Sequence, residues 1–438
     1  MGKEIVIEPL TRLEGHGDLR VVLDDAGKVS QVQFNVTSTR FFEKFLEGRY
    51  MEHVPRITPR ICGICPIPHH LAPTKAVEDA WGLTGKIPDA AIKLRRLLIN
   101  AKQYASHALH FYALAAPDFV MGPFAPPEKR NVVAVINALP DVGKMALKMM
   151  DFGQRMCQAI GGKSVHPIAA VVGGFRTALT EEQRDAFLAE VEEQVEFTKK
   201  TVEVGLKVTE DYWDLVEKVS TPTWYVGQTV NGTHDIYDGN LRVMSPDGKT
   251  FDYAPRDYRE GIAEHVAPHS MATHCYAREG GYPDGIYRAN TLAMINVSDK
   301  MATPLAQEAL QAFRDKLGRP CHLTLAYHWA RLIELVESIE LIAELLKDPA
   351  IVETDPGKLK LMDVQPREGR GVGLVEAPRG SLIYELWSDA QGICTKANLM
   401  VATNHNIAGI EKSVKTVAQA VLEGDLLDKV KLPEPWVK

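Results

Sequence analysis

Apolar and polar positions alternate through the first 36 residues, along Glu4-Ile5-Val6-Ile7-Glu8, Leu19-Arg20-Val21-Val22-Leu23 and Val29-Ser30-Gln31-Val32-Gln33-Phe34. With a turn at Asp24-Asp25-Ala26-Gly27, this period of two predicts antiparallel strands. Residues 40–50 change to helical spacing, with Phe41, Phe42, Phe45 and Leu46 forming an apolar side and Glu43 and Glu47 sharing one face at i,i+4. From 90 to about 162 the helical period persists through Leu97, Leu98, Ile99, Ala105, Leu109, Tyr112 and Leu114, and is broken by Pro117 and by prolines 123, 126 and 127. His107 and His110 fall on adjacent turns of that stretch and read as core histidines with partners. A charged helix is expected over 179–220, its charges a solvated face. Residues 222–295 shift to Gly, Tyr, Asp and Pro, with turn pairs at Asn231-Gly232, Asp238-Gly239 and Asp247-Gly248, which marks a β-rich excursion. Helices resume at about 304–317 and 322–346. Strands return over 371–402 with a hairpin near Asp389-Ala390-Gln391-Gly392, where Cys394 reads as a structural thiol. A last helix covers 404–422, and 432–438 reads as an extended, proline-stiffened end.

The elements sum to an α+β chain, predominantly α: a central helical bundle with peripheral antiparallel strands. Residues 1–438 are read as one domain containing the 222–295 excursion.

Composition narrows the function classes. Hydrophobic residues make up 45% of 438, enough for a large interior, and the net charge of -7 is spread without a basic stripe. No nucleic-acid partner is expected. No run of eighteen apolar residues is present, so no membrane partner is expected either. Six cysteines give no disulfide framework and suit a reducing, cytoplasmic setting.

Chemistry concentrates at Arg60-Ile61-Cys62-Gly63-Ile64-Cys65-Pro66-Ile67-Pro68-His69-His70. Two thiols three residues apart in a Gly/Pro-rich bend can turn toward one point, and thiolates select zinc, copper(I), iron or nickel over magnesium or calcium. A zinc ribbon would require a second Cys or His pair, and Cys157, Cys275, Cys321 and Cys394 stand alone. A thioredoxin-like redox pair would require a short βαβ unit, whereas helical patterning follows here. The residues alone leave metal, redox and plain structural roles open.

Neighbouring words add a resemblance. Arg60 to His69 fits R-x-C-G-x-C-x-x-x-H and resembles the first metal-binding motif of nickel-iron hydrogenase large subunits. Thr11-Arg12-Leu13-Glu14-Gly15-His16, Arg40-Phe41-Phe42-Glu43, Gly161-Gly162-Lys163 with His166-Pro167, Glu376-Ala377-Pro378-Arg379-Gly380 and Ala402-Thr403-Asn404-His405-Asn406 match in family order. The pattern looks most like the cytosolic methyl-viologen-reducing type.

The resemblance implies a nickel-iron centre whose iron carries carbon monoxide and cyanide, with Cys62 as a terminal nickel ligand and Cys65 as a bridge. It implies that Arg379, held after Pro378, faces the open coordination positions with Asp118 beside it. Thr403 would donate to a cyanide, Glu14 would pass protons outward, and Glu43 would sit at a buried magnesium. His69 and His166 would orient ligands or hold a subunit interface. Implied partners are an iron-sulfur adaptor subunit, heterodisulfide reductase, and a small iron-sulfur subunit. The family's second motif, D-P-C-x-x-C-x-x-H, is missing before Lys438. The remaining ligands are therefore expected from a short separate peptide bearing cysteine or selenocysteine, or from a lost tail; the alternative is a metal-free scaffold subunit of an electron-transfer complex.

Overall fold

The structure is a computed structural model that describes residues 3–10, 13–424 and 426–429, so the proline-stiffened end lies outside the described residues. Four long helices make the centre: Asp89–Leu109, Pro140–Gly161, Glu181–Asp211 and Tyr327–Leu346. Each buries leucine, isoleucine, aromatic or small residues at i, i+3 and i+4 steps, as the period required. Gly153 lets two of them approach closely, since a Cβ there would stand 2.8 Å from the Ala101 carbonyl oxygen and 2.8 Å from Ala105 Cβ. The Glu181–Asp211 helix opens on a reciprocal cap, in which Thr180 accepts from the Gln183 backbone and Gln183 accepts from that of Thr180.

Strands lie around this bundle. Glu4–Ile7, Gly17–Leu23 and Val29–Val36 form an antiparallel sheet whose inner face, including Leu19, Val21, Val32 and Phe34, packs on Ile407, Ile410 and Val414 of the Ala402–Leu422 helix. Within 222–295, Trp224–Val230 pairs antiparallel with Asn240–Met244 and parallel with Tyr287–Arg288. A further sheet, antiparallel throughout, contains Gly369–Ala377, Gly380–Ser388 and Cys394–Met400. The last of these strands buries Cys394 and follows the Asp389–Gly392 turn.

Two contacts bring the chemistry-bearing words together. Gly369, Gly371 and Gly373 occupy alternate positions of one strand, hence one face. A Cβ on Gly371 would fall 2.0 Å from the Ala76 carbonyl oxygen, and one on Gly373 would fall 1.9 Å from that of Ala72. The strand therefore lies directly on the backbone of the Pro68–Ala80 helix, the element that follows the two thiols. In addition, buried Arg95 donates to both carboxylate oxygens of Glu78, at 2.6 and 2.9 Å, locking that helix to Asp89–Leu109.

One expectation fails. The helix within 40–50 is only Phe42–Leu46, ended by Glu47 in an extended conformation and by Gly48 at φ 79. Its Leu46 is buried, but Phe41 is 70% exposed and Phe45 50% exposed. So short a helix cannot bury four bulky neighbours on one side; Arg40 and Arg49 cover Phe42 and Phe45 instead, at 5.3 and 4.9 Å.

Candidate metal centre

Cys62 and Cys65 occupy the bend between a 3-10 turn, Thr58–Ile61, and the Pro68–Ala80 helix. The Cys65 amide donates to Cys62 Sγ at 3.2 Å. The bend is held from outside: Arg40 Nη2 donates to the Ile61 carbonyl at 2.5 Å, while Thr58 Oγ1 stands 2.6 Å from the His69 carbonyl oxygen. Cys65 is buried and Cys62 partly so. A hydrogen bond from Cys65, with further help from backbone amides and Arg379, pulls the Cys62 thiol down to about 6. Donation to Cys62, and then burial, pushes Cys65 up. Of the two, Cys62 is therefore the sulfur that ionises more readily.

Arg379 comes from a distant part of the chain, and its charge acts on both thiols. Ala377 pairs with Gly380 across the antiparallel register, so Pro378-Arg379 is a two-residue hairpin tip. Gly380 follows at φ 133, where a β-carbon would be strained. Fully buried Arg331 donates Nη1 to the Pro378 carbonyl at 2.9 Å, and Asn406 Nδ2 donates to the Arg379 carbonyl at 3.2 Å. Arg379 Nη1 in turn donates to Ser106 Oγ at 3.2 Å, whereas its Nη2 is buried without a hydrogen-bond partner.

The expected aspartate is not the group beside this arginine. Asp118 directs Oδ1 toward Arg130 Nη1, 3.4 Å away. Twelve residues separate it from Ser106, roughly 18 Å of helical rise, and a π-helical segment, His110–Ala115, intervenes.

Other candidates take varied places. His69 is buried with Nδ1 2.7 Å from the Tyr384 hydroxyl, and burial lowers it to about 3. His166, at φ 57, places Nδ1 2.8 Å from Arg60 Nη1 and so joins two motif words at the surface. Glu43 accepts from the Leu399 amide at 2.8 Å; it lies at the surface of this chain, and partial burial of its carboxyl raises its pKa. Glu14 stands in an exposed bend, and Thr403 is exposed near the start of the Ala402–Leu422 helix.

Sequence reading missed Lys102, Ser106 and Arg331. The first two are buried polar residues one helical turn apart on the Asp89–Leu109 helix, a spacing that could have been noticed. It also took His107 and His110 alike. His107 Nδ1 accepts from Arg331 at 3.1 Å and Nε2 donates to Glu334 at 2.9 Å, but His110 Nδ1 is buried without a partner.

A soft thiol pair and, within electrostatic reach of both sulfurs, a guanidinium with a buried unused N–H make a candidate site for a thiolate-bound metal group with an anionic or acceptor ligand. The residues present fit such a group: the sulfurs supply donors, and Arg379 Nη2 needs an acceptor that the described residues do not provide. Comparison gives the class its family. Residues 40–124 match the nickel-dependent hydrogenase family and residues 4–39 match one described as HoxL-like. A chain of the vhu F420-non-reducing hydrogenase of Methanococcus voltae is 46% identical over 425 residues, spanning 97% of this chain and 100% of that relative. A chain of the F420-non-reducing hydrogenase of Methanothermobacter marburgensis is 40% identical over 421 residues, covering 95% and 88%. Among solved structures, an NAD+-reducing [NiFe]-hydrogenase in the H2-reduced state superimposes with a TM-score of 0.90 at 35% identity, covering 98% of this chain and 96% of that one. The chain belongs to the nickel-dependent hydrogenases, as a large subunit. It is an oxidoreductase subunit, and among its described residues no helix is long and apolar enough to cross a membrane.

Proposed function

We propose that Cys62 and Cys65 are two of the ligands of a nickel-iron centre at which dihydrogen is split into protons and electrons. The observation that carries this reading is the buried Cys65 and half-buried Cys62 thiols, both within the electrostatic reach of Arg379, whose guanidinium has one unused donor. When bound, a nickel-iron pair supplies the Lewis acid that polarises dihydrogen. Cys62 and Cys65 would hold it through their sulfurs.

The protein's own groups do the rest. Arg379 Nη2 would donate to a cyanide on iron, kept in place by Ser106, and Thr403 would donate to a second one. Carbon monoxide would complete the iron ligands. Glu14 would carry the proton outward, its exposed bend suiting transfer toward solvent. Glu43 would offer a hard oxygen to magnesium. His69, oriented by Tyr384, and His166, set against Arg60, would steady the thiol bend. In this reading Ser106 takes the position expected for Asp118.

Four thiolate or selenolate donors are needed, and the other four cysteines lie elsewhere, buried in their own packing. We therefore assign the second pair to a segment outside these residues, a short separate peptide or a further tail. Electrons would pass to a small iron-sulfur subunit, then to an iron-sulfur adaptor and heterodisulfide reductase in the cytoplasm. Exposed Phe41, Phe45 and Tyr50 support a docked partner near the site, and relatives named F420-non-reducing support an acceptor other than that coenzyme.

Infrared spectroscopy with nickel analysis on the purified complex tests the proposal. Carbon monoxide and cyanide stretching bands with stoichiometric nickel are expected. Their joint absence would leave a metal-free scaffold and overturn the enzyme mechanism.

A further inference from the structure

A second set of metal-ligating side chains gathers where the His274–Ala277 strand and the loop before it meet the Ala402–Leu422 helix, sharing no residue with the thiol pocket. Donor atoms of His269, His274 and Glu411 lie within 4.8 Å of one another. His269 Nε2 is 2.6 Å from Glu411 Oε1, and His274 Nε2 is 3.6 Å from the same oxygen. That oxygen already accepts from the Phe34 amide at 2.8 Å. The two imidazoles meet edge to face with centroids 5.5 Å apart.

An ion pair between His269 and Glu411 accounts for only part of this arrangement. His274 is 1% exposed, and its Nε2 is buried with no hydrogen-bond partner while aimed at the carboxylate. At 3.6 Å from Glu411 Oε1 that nitrogen stands just beyond ordinary hydrogen-bond reach. Its other nitrogen, Nδ1, stands 3.3 Å from the Tyr282 hydroxyl. A proton on Nδ1 directed at that hydroxyl leaves the Nε2 lone pair facing the gap, the arrangement by which ligating histidines are oriented. Two neutral imidazoles and one carboxylate suit a borderline first-row ion, and three protein donors leave a fourth position for water.

We propose that His269, His274 and Glu411 bind a divalent transition ion of the zinc class, joining the 266–274 segment to the Ala402–Leu422 helix. Glu411 lies five residues beyond Asn406, so the ion would steady the helix whose Asn406 holds the Arg379 carbonyl.

The test uses the full chain with Cys62→Ser and Cys65→Ser, which removes competition from the thiols. We expect one zinc per chain after dialysis, and with cobalt(II) a visible d–d band lacking sulfur charge transfer. His274→Ala and Glu411→Gln should each weaken zinc binding at least tenfold with unchanged far-ultraviolet circular dichroism. No retained zinc, or unchanged affinity in both variants, overturns the proposal. Should the variants fail to fold, zinc X-ray absorption on the parent chain decides: a nitrogen/oxygen shell with imidazole scattering supports the site, and a shell without imidazole overturns it.

Discussion

Arg331 reaches from the Tyr327–Leu346 helix to donate to the carbonyl of Pro378, 2.9 Å away, so one buried guanidinium holds the hairpin tip that presents another. The same side chain donates to His107 Nδ1 at 3.1 Å and Asn290 Oδ1 at 3.2 Å. Burial, with Arg379 nearby, lowers it to about 9. Arg331→Met should strand these acceptors and cost about 3 kcal/mol of stability in urea unfolding. Arg331→Lys should cost less but release the tip, because an ammonium cannot span the fork. Equal unfolding midpoints for wild type and Arg331→Met would remove this role.

Arg379→Lys keeps the charge and loses the planar donor pair. Hydrogen-deuterium exchange by the assembled enzyme should fall about 10²-fold with nickel content unchanged. A loss of nickel in proportion to activity would make Arg379 a structural prop instead.

Cys65→Ser should abolish bound iron, measured by elemental analysis of the purified complex. Normal iron loading would remove its bridging role.

How much of this site was legible follows from the kind of contact involved. Cys62 and Cys65 announce themselves locally by spacing, Arg379 came only with the family resemblance of the Glu376-to-Gly380 word, and period two or 3.6 marked the main strands and helices. Ser106 did not, because its neighbour Arg379 is distant in sequence and brought near only by the fold. Asp118 attracted the assignment through the family resemblance, yet helical rise carries it away from Ser106. Phe41 and Phe45 looked like core because periodicity registers apolar spacing, and spacing does not tell an interior from a face awaiting a partner.

Phe41→Ser together with Phe45→Ser should leave the melting temperature of the isolated chain within about 2 °C, since surface changes cost little. Recovery of the small subunit in co-purification should drop severalfold. Undiminished recovery would move the interface elsewhere.

Acid sensitivity should have an identifiable source in His70. Its Nδ1 donates to the Pro55 carbonyl and its Nε2 accepts from the Ala170 amide at 3.1 Å, which fixes the neutral form. Burial lowers it from 6.5 to about 4. Because the folded value lies below the unfolded one, its contribution is complete above pH 6.5 and disappears as pH falls to 4, about 3 kcal/mol in all. Urea midpoints of His70→Gln should vary less between pH 7 and 5 than those of wild type; identical slopes would exonerate the residue.

Gly373→Val should be among the most damaging single changes, costing about 3 kcal/mol or more, since the nearest obstacle is a carbonyl oxygen of the facing helix and not a side chain able to turn aside. Loss of bound nickel ahead of global unfolding is the expected signature on heating; nickel release coincident with unfolding in both proteins would refute it.

The same bare ridge acts as a gauge block. With no side chain interposed, the gap between the helix behind the sulfurs and the strand that runs to the guanidinium is fixed by peptide thickness, a dimension that mutation of the surrounding interior cannot tune. Relatives that keep those three bare positions would keep the sulfur-to-guanidinium reach constant while everything around it diverges.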